Sequence, residues 1–142
     1  MLGTDAAAAG DTGALLAFSG MITMDGLTVF SRLALITATA LGVTGGWRFV
    51  AGLGRRGAEA LALVLLATSG FSLMVASNNL VMMFLGLEVG SIALYVLAGL
   101  SRDRPESDEA AIKYFLLGSF ASAIFIYGVA LVYAGTGQFE VL

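Results

Sequence analysis

The 142 residues contain no cysteine and no histidine, and only one proline. Without thiol or imidazole there are no ligands for haem, iron–sulfur clusters or ordinary zinc sites, and no disulfide can form. Charge is scarce as well. Asp, Glu, Lys and Arg make up 12% of the chain, against about 25% in soluble domains. The net charge of −3 excludes a polybasic binder of nucleic acid or lipid surfaces. Residues 1–20 carry two Asp and no Lys or Arg, so the positive n-region of a signal peptide is missing. No nucleophile–base pair, phosphate loop or metal-ligand cluster can be picked out. The glycines follow no predicted strand, so they make no nucleotide fingerprint.

What is abundant is apolar. Hydrophobic residues make up 58% of the chain and the mean hydropathy is +0.93. This is the composition of an integral membrane protein. The 19 Gly and single Pro fit helices that approach closely through small residues. Four apolar runs are long enough to span, at about 26–46, 58–76, 80–100 and 110–134. The fold class is therefore all-α, an integral membrane bundle of four transmembrane helices. Residues 1–24 read as an extramembrane lead-in, since the apolar Ala14–Phe18 is too short to cross. Residues 25–142 read as the transmembrane domain. Ser77-Asn78-Asn79 breaks spans two and three, and Gly135-Thr136-Gly137 is a turn signal after span four.

The loops set orientation. Arg48, Arg55 and Arg56 lie between spans one and two, and Arg102 and Arg104 between spans three and four. With four spans all five fall on one side, which the positive-inside rule puts in the cytoplasm. Pro105 suits a first helical turn, and Glu106, Asp108 and Glu109 follow where a helix dipole favours negative charge. Their alternation with the arginines reads as a solvated loop leading into span four. Trp47, Tyr127 and Tyr133 are candidate interfacial anchors, and Met74, Met82 and Met83 read as packing.

One carboxylate stands out. Glu88 lies near the midpoint of span three, where a charge costs at least about 2.5–3.5 kcal/mol. Gly86 and Gly90 flank it and let a neighbouring helix or water approach. Ser91 and Tyr95, three and seven residues on, share roughly its face and can hydrogen-bond toward it. A carboxyl group poised between a low dielectric, which favours its neutral form, and a nearby cation, which favours its charged form, can exchange a proton. The competing reading is a neutral, hydrogen-bonded Glu that ties helices together. Lys113 lies about one turn inside span four, where it either serves function or snorkels to the interface. Its depth differs from that of Glu88 by about 10 Å, so water or another side chain would have to link them. Arg32 reads as structural, within reach of the outer interface or of Asp25, with a supporting role at the Glu88 site as the competing reading. Asp25 reads as an N-cap or interface residue.

Several runs resemble a known family. Asn78-Asn79-Leu80, Phe84-Leu85-Gly86-Leu87-Glu88 and Leu94-Tyr95-Val96-Leu97-Ala98-Gly99 resemble the antiporter-like subunits of complex I, the proton-translocating NADH:quinone oxidoreductase. The run Glu109 to Ser122, and Tyr127-Gly128-Val129-Ala130-Leu131-Val132-Tyr133, point more narrowly to the subunit N family. Asp25-Gly26-Leu27 through Arg32 resembles an earlier helix of that family. The resemblance implies that Glu88 is the proton-accepting end of a buried charge relay, and that Lys113 is a basic residue near the entry path. It implies membrane-arm subunits as partners, with the lipid bilayer and protons, and a bacterial plasma membrane location. It implies no cofactor in this chain, with NADH, FMN, iron–sulfur clusters and quinone on other subunits. The family's later helices lie beyond Leu142, so the chain looks like a fragment, a partial antiporter-like domain. Two alternatives are a subunit of a multisubunit sodium/proton antiporter and a four-span scaffold protein without transport.

Overall fold

A computed structural model describes residues 15–17, 21–101 and 104–141. Arg102 and most of the lead-in lie outside the described residues. In chain order the elements are β1 (Leu15–Ala17), β2 (Ile22–Met24), α1 (Gly26–Gly45), α2 (Trp47–Gly52), α3 (Arg56–Val75), α4 (Leu80–Ala98) and α5 (Pro105–Thr136). The helices α1, α3, α4 and α5 are each long and apolar enough to cross a membrane. They are the four spans expected from hydropathy.

Local chemistry sets the boundaries. Asp25 caps α1 by accepting the Thr28 N–H at 2.7 Å. Asn79 caps α4 by accepting the Val81 and Met82 N–H groups at 2.9 and 3.3 Å. Gly137, at φ 72°, closes α5 in the left-handed conformation that glycine adopts without a Cβ penalty. The acidic run after Pro105 belongs to the start of a helix, as its placement after proline implied, and not to the solvated loop. Pro105 opens α5, and Glu106 and Asp108 fill its first turn, where their charge meets the positive end of the helix dipole. The resulting helix of 32 residues is about 48 Å long and overhangs a hydrocarbon core of about 30 Å.

Three small elements were not expected. The helix α2 is a single short piece after α1. The strands β1 and β2 pair antiparallel, with Leu15 opposite Met24 and Ala17 opposite Ile22. This ribbon stands at the end of the bundle, where Thr23 N–H donates to Ala76 O at 2.8 Å. The segment after α5 closes the same end, with Leu80 N–H donating to Phe139 O at 2.8 Å and Val141 N–H to Asn78 O at 3.0 Å. The rings of Tyr133 and Phe139 stack there at 4.2 Å. The 77–79 turn is thus held from both sides.

The spans form a row, α1–α3–α4–α5. Among the described residues α1 does not pack on α4 or α5, and α3 does not pack on α5. The tightest contact is α3 on α4, where Ala67, Gly70, Gly86, Gly90 and Ala93 are buried. A Cβ on Gly70 would fall 2.5 Å from Gly90 N, and one on Gly86 would fall 2.6 Å from Met74 N. The two backbones touch, so only glycine fits at these positions.

Threonines and Arg32 join α1 to α3. The Thr39 and Thr68 hydroxyls lie 2.9 Å apart, and Thr28 Oγ1 donates to Val75 O at 3.5 Å. Arg32 Nε donates to Ser72 O at 3.3 Å. Ala76 N–H turns to Leu73 O at the end of α3, which leaves the Ser72 carbonyl free to accept from Arg32. A cation at a helix C-terminus also meets the negative end of the dipole. Arg32 therefore closes α3 and does not reach for Asp25.

Candidate functional site

The site is built where α4 faces α5. Antiparallel rungs run down this contact. Gly99 approaches Ala111, Tyr95 packs on Gly118, Glu88 meets Ser122, and Phe84 stacks on Phe125 at 5.9 Å. Gly118 stands where Tyr95 fills the space: a Cβ there would overlap the Tyr95 hydroxyl. At the helix start, Ser107 Oγ donates to Ala98 O at 2.6 Å. Glu88 thus occupies a middle rung, half-buried, with aromatic contacts above and below.

Ser122 Oγ donates to Glu88 Oε1. Among the described residues this is the side-chain hydrogen bond that Glu88 makes. Ser91 and Tyr95 do not supply it. Tyr95 is turned toward α5, with its ring edge-on to Tyr114 at 4.8 Å and to Phe115 at 5.8 Å. Helical spacing alone selected Ser91 and Tyr95 as partners, whereas the partner stands on the opposite helix, 34 residues on. A signal for it does exist in the chain. Gly118, Ser122 and Phe125 fall on one stripe of span four, and within it the missing side chain of Gly118 and the hydroxyl of Ser122 suit a facing carboxyl group.

Lys113 is not brought to Glu88. Its Nζ pairs with Glu109 Oε1 one turn earlier, and both side chains are about two-thirds exposed, at 69% and 64%. Nine residues separate Lys113 from Ser122, which at about 100° per residue puts them on opposite sides of α5. By the register of the rungs Lys113 stands level with Leu97, about 13 Å along the axis from Glu88. Arg32 belongs to the far side of the row, against α3. No group of three or more His, Cys, Asp or Glu that could hold a metal occurs among the described residues.

A hydrogen-bonded carboxyl group at mid-span, on a helix locked to its neighbour by glycine, is suited to holding and releasing a proton without moving the backbone. Residues 77–142, which include Glu88, Lys113 and Ser122, match the family model described as NADH:quinone oxidoreductase/Mrp antiporter, transmembrane. The chain belongs to this family. It is 50% identical over 120 residues to NADH-quinone oxidoreductase subunit N 1 of Solibacter usitatus, an alignment covering 84% of this chain and 25% of that protein. It is 38% identical over 123 residues to subunit N of Parvibaculum lavamentivorans, covering 87% and 26%. It is 58% identical over 79 residues to subunit N 1 of Chloroherpeton thalassium, covering 56% and 17%. The chain spans about a quarter of the length of the first two of these relatives. The expected family and the four-span membrane fold both hold.

Proposed function

We propose that this chain is part of a proton-translocating membrane subunit of NADH:quinone oxidoreductase, and that Glu88 is its proton-exchanging group. The observation that carries the reading is the Ser122–Glu88 hydrogen bond at mid-span, between helices that otherwise present apolar or small residues to each other. Redox energy released on other subunits would move charge along the membrane arm, and Glu88 would change proton occupancy in response. NADH, FMN, iron–sulfur clusters and quinone would sit on those other subunits. Lys113, on the face of α5 turned away from Glu88, would act toward a helix outside this row and not on Glu88 directly. Ser122 positions the Glu88 carboxyl group, while Tyr95 and Gly118 set the spacing of the two helices.

The partners in this reading are other membrane-arm subunits and the lipid of a bacterial plasma membrane. Arg48, Arg55, Arg56 and Arg104 lie at the end of the row where α1 finishes and α5 begins, and the positive-inside rule puts that end in the cytoplasm. A second reading, a subunit of a sodium/proton antiporter, draws on the family description, which names both systems. The subunit N names of the relatives favour the first.

A native gel of source membranes tests the assignment, with a denaturing second dimension probed by an antibody to residues 102–109. The proposal expects the signal to run with a large NADH-oxidising complex. Signal confined to a complex without NADH oxidation, together with sodium-dependent transport, would favour the antiporter instead.

A further inference from the structure

The arginine-bearing end of the row holds two adjoining cavities of opposite character. One, of about 300 Å³, opens between α1, α2, α3 and the end of α4. Its walls are apolar, with Gly42, Phe49, Val64 and Leu97 among them. The other, of about 360 Å³, is lined by Arg48 and Arg104. Phe49 and Ser101 line both, so the basic cavity adjoins the apolar one. Neither arginine side chain makes an ion pair or hydrogen bond with a described residue. Two guanidinium groups are left facing a shared space at the level where a helix end meets a membrane surface.

We propose that this end binds one phospholipid of net negative charge, with an acyl chain in the apolar cavity and its phosphate on Arg48 and Arg104. The chemistry selects the class. Guanidinium matches a phosphate oxygen pair in geometry and charge. Basic pockets between helices on the cytoplasmic side of a membrane are suited to anionic head groups. A zwitterionic lipid would bring its own cation against the two arginines. A free anion would leave the apolar cavity unfilled. The space beside Gly42 is open, since a Cβ there would meet nothing within 4 Å.

The test uses the assembled complex that contains this chain. After detergent exchange it is equilibrated with vesicles in which either phosphatidylglycerol or phosphatidylcholine carries a photoreactive acyl chain. Crosslinked peptides are then located by mass spectrometry. Phosphatidylglycerol is expected to label residues 39–64 and 97–101 in preference to phosphatidylcholine. An arginine at an anionic surface is worth about fivefold in binding, so Arg48→Gln with Arg104→Gln should cut the labelling about 25-fold. Arg48→Lys with Arg104→Lys should retain part of it. Gly42→Leu fills the apolar cavity and should remove labelling while both arginines remain, which keeps the test decisive if the double Gln variant fails to assemble. Equal labelling by the two lipids, or labelling unchanged in the Gln or Leu variants, overturns the proposal. Lipid binding here does not depend on Glu88, so lost labelling with intact proton transport, or the reverse, separates this site from the proton-exchange reading.

Discussion

Replacing Gly86 by alanine probes the contact on which the row depends. The added Cβ would lie 2.6 Å from Met74 N, 2.8 Å from Gly70 O and 2.9 Å from Met74 Cα. All three are backbone atoms, so no rotamer change relieves the clash. Restoring ordinary contact requires α3 and α4 to part by close to an ångström. A gap of that size forfeits about a quarter to a half of each dispersion contact on the facing surfaces. Overpacking of this kind costs about 1–3 kcal/mol. The gain in helix propensity from Gly to Ala returns about 1 kcal/mol, so the net expectation is a loss of up to about 2 kcal/mol, and of about 1–3 kcal/mol relative to an alanine placed where there is no clash. Gly45→Ala is the control, because a Cβ there meets nothing within 4 Å. The assay is reversible unfolding in mixed micelles with rising SDS, followed by far-ultraviolet circular dichroism. Equal midpoints for Gly86→Ala and Gly45→Ala would refute the close-contact argument.

Gly118→Ala and Tyr95→Ala should each lower thermal stability, but the double variant should lose less than the sum, since the two residues share one space; strict additivity in a double-mutant cycle would deny the contact. Lys113→Ala should change stability by no more than about 0.5 kcal/mol, because its pair with Glu109 is exposed and local. A large fall in unfolding midpoint would show that Lys113 does more for the fold than this pair. The Thr28 hydrogen bonds hold the Asp25 carboxyl below its ordinary value of 3.8. The cap is therefore complete above that value and is lost as pH falls through the lowered one. Protection of the Thr28 amide, measured against its intrinsic exchange rate at each pH, should fall only in that acidic window, and in Asp25→Ala it should be low at every pH.

The four spans were legible because hydropathy needs no tertiary information, and the caps were legible where a side chain acts on its own helix. Asp25 is such a case. The start of α5 was harder. Charge in Glu106, Asp108 and Glu109 looks like a loop by hydropathy, yet it is what a helix N-terminus favours. The short α2 was hidden because six residues that include Arg48 carry no resolvable period. The three-residue strands were too short to show alternation. Glu88 was visible as an ionisable residue in an apolar run, but spacing along its own helix did not find its partner. Spacing along one helix finds neighbours at three, four and seven residues, and Ser122 belongs to another helix. Counting back from the ends of α4 and α5 would have put Phe115 opposite Glu88. The start of α5 overhangs the end of α4 by one to two turns, and that shift brings Ser122 into place.

The central claim is that Glu88 exchanges protons during turnover. The direct measurement is the number of protons translocated per NADH oxidised by the assembled complex in sealed vesicles, with Glu88→Gln compared to the unaltered enzyme. Gln keeps the volume and an acceptor for Ser122 but cannot exchange a proton near neutral pH. The ratio is predicted to fall strongly or to zero in a complex that still assembles. An unchanged ratio would leave Glu88 as a structural hydrogen-bond partner of Ser122 and contradict the account.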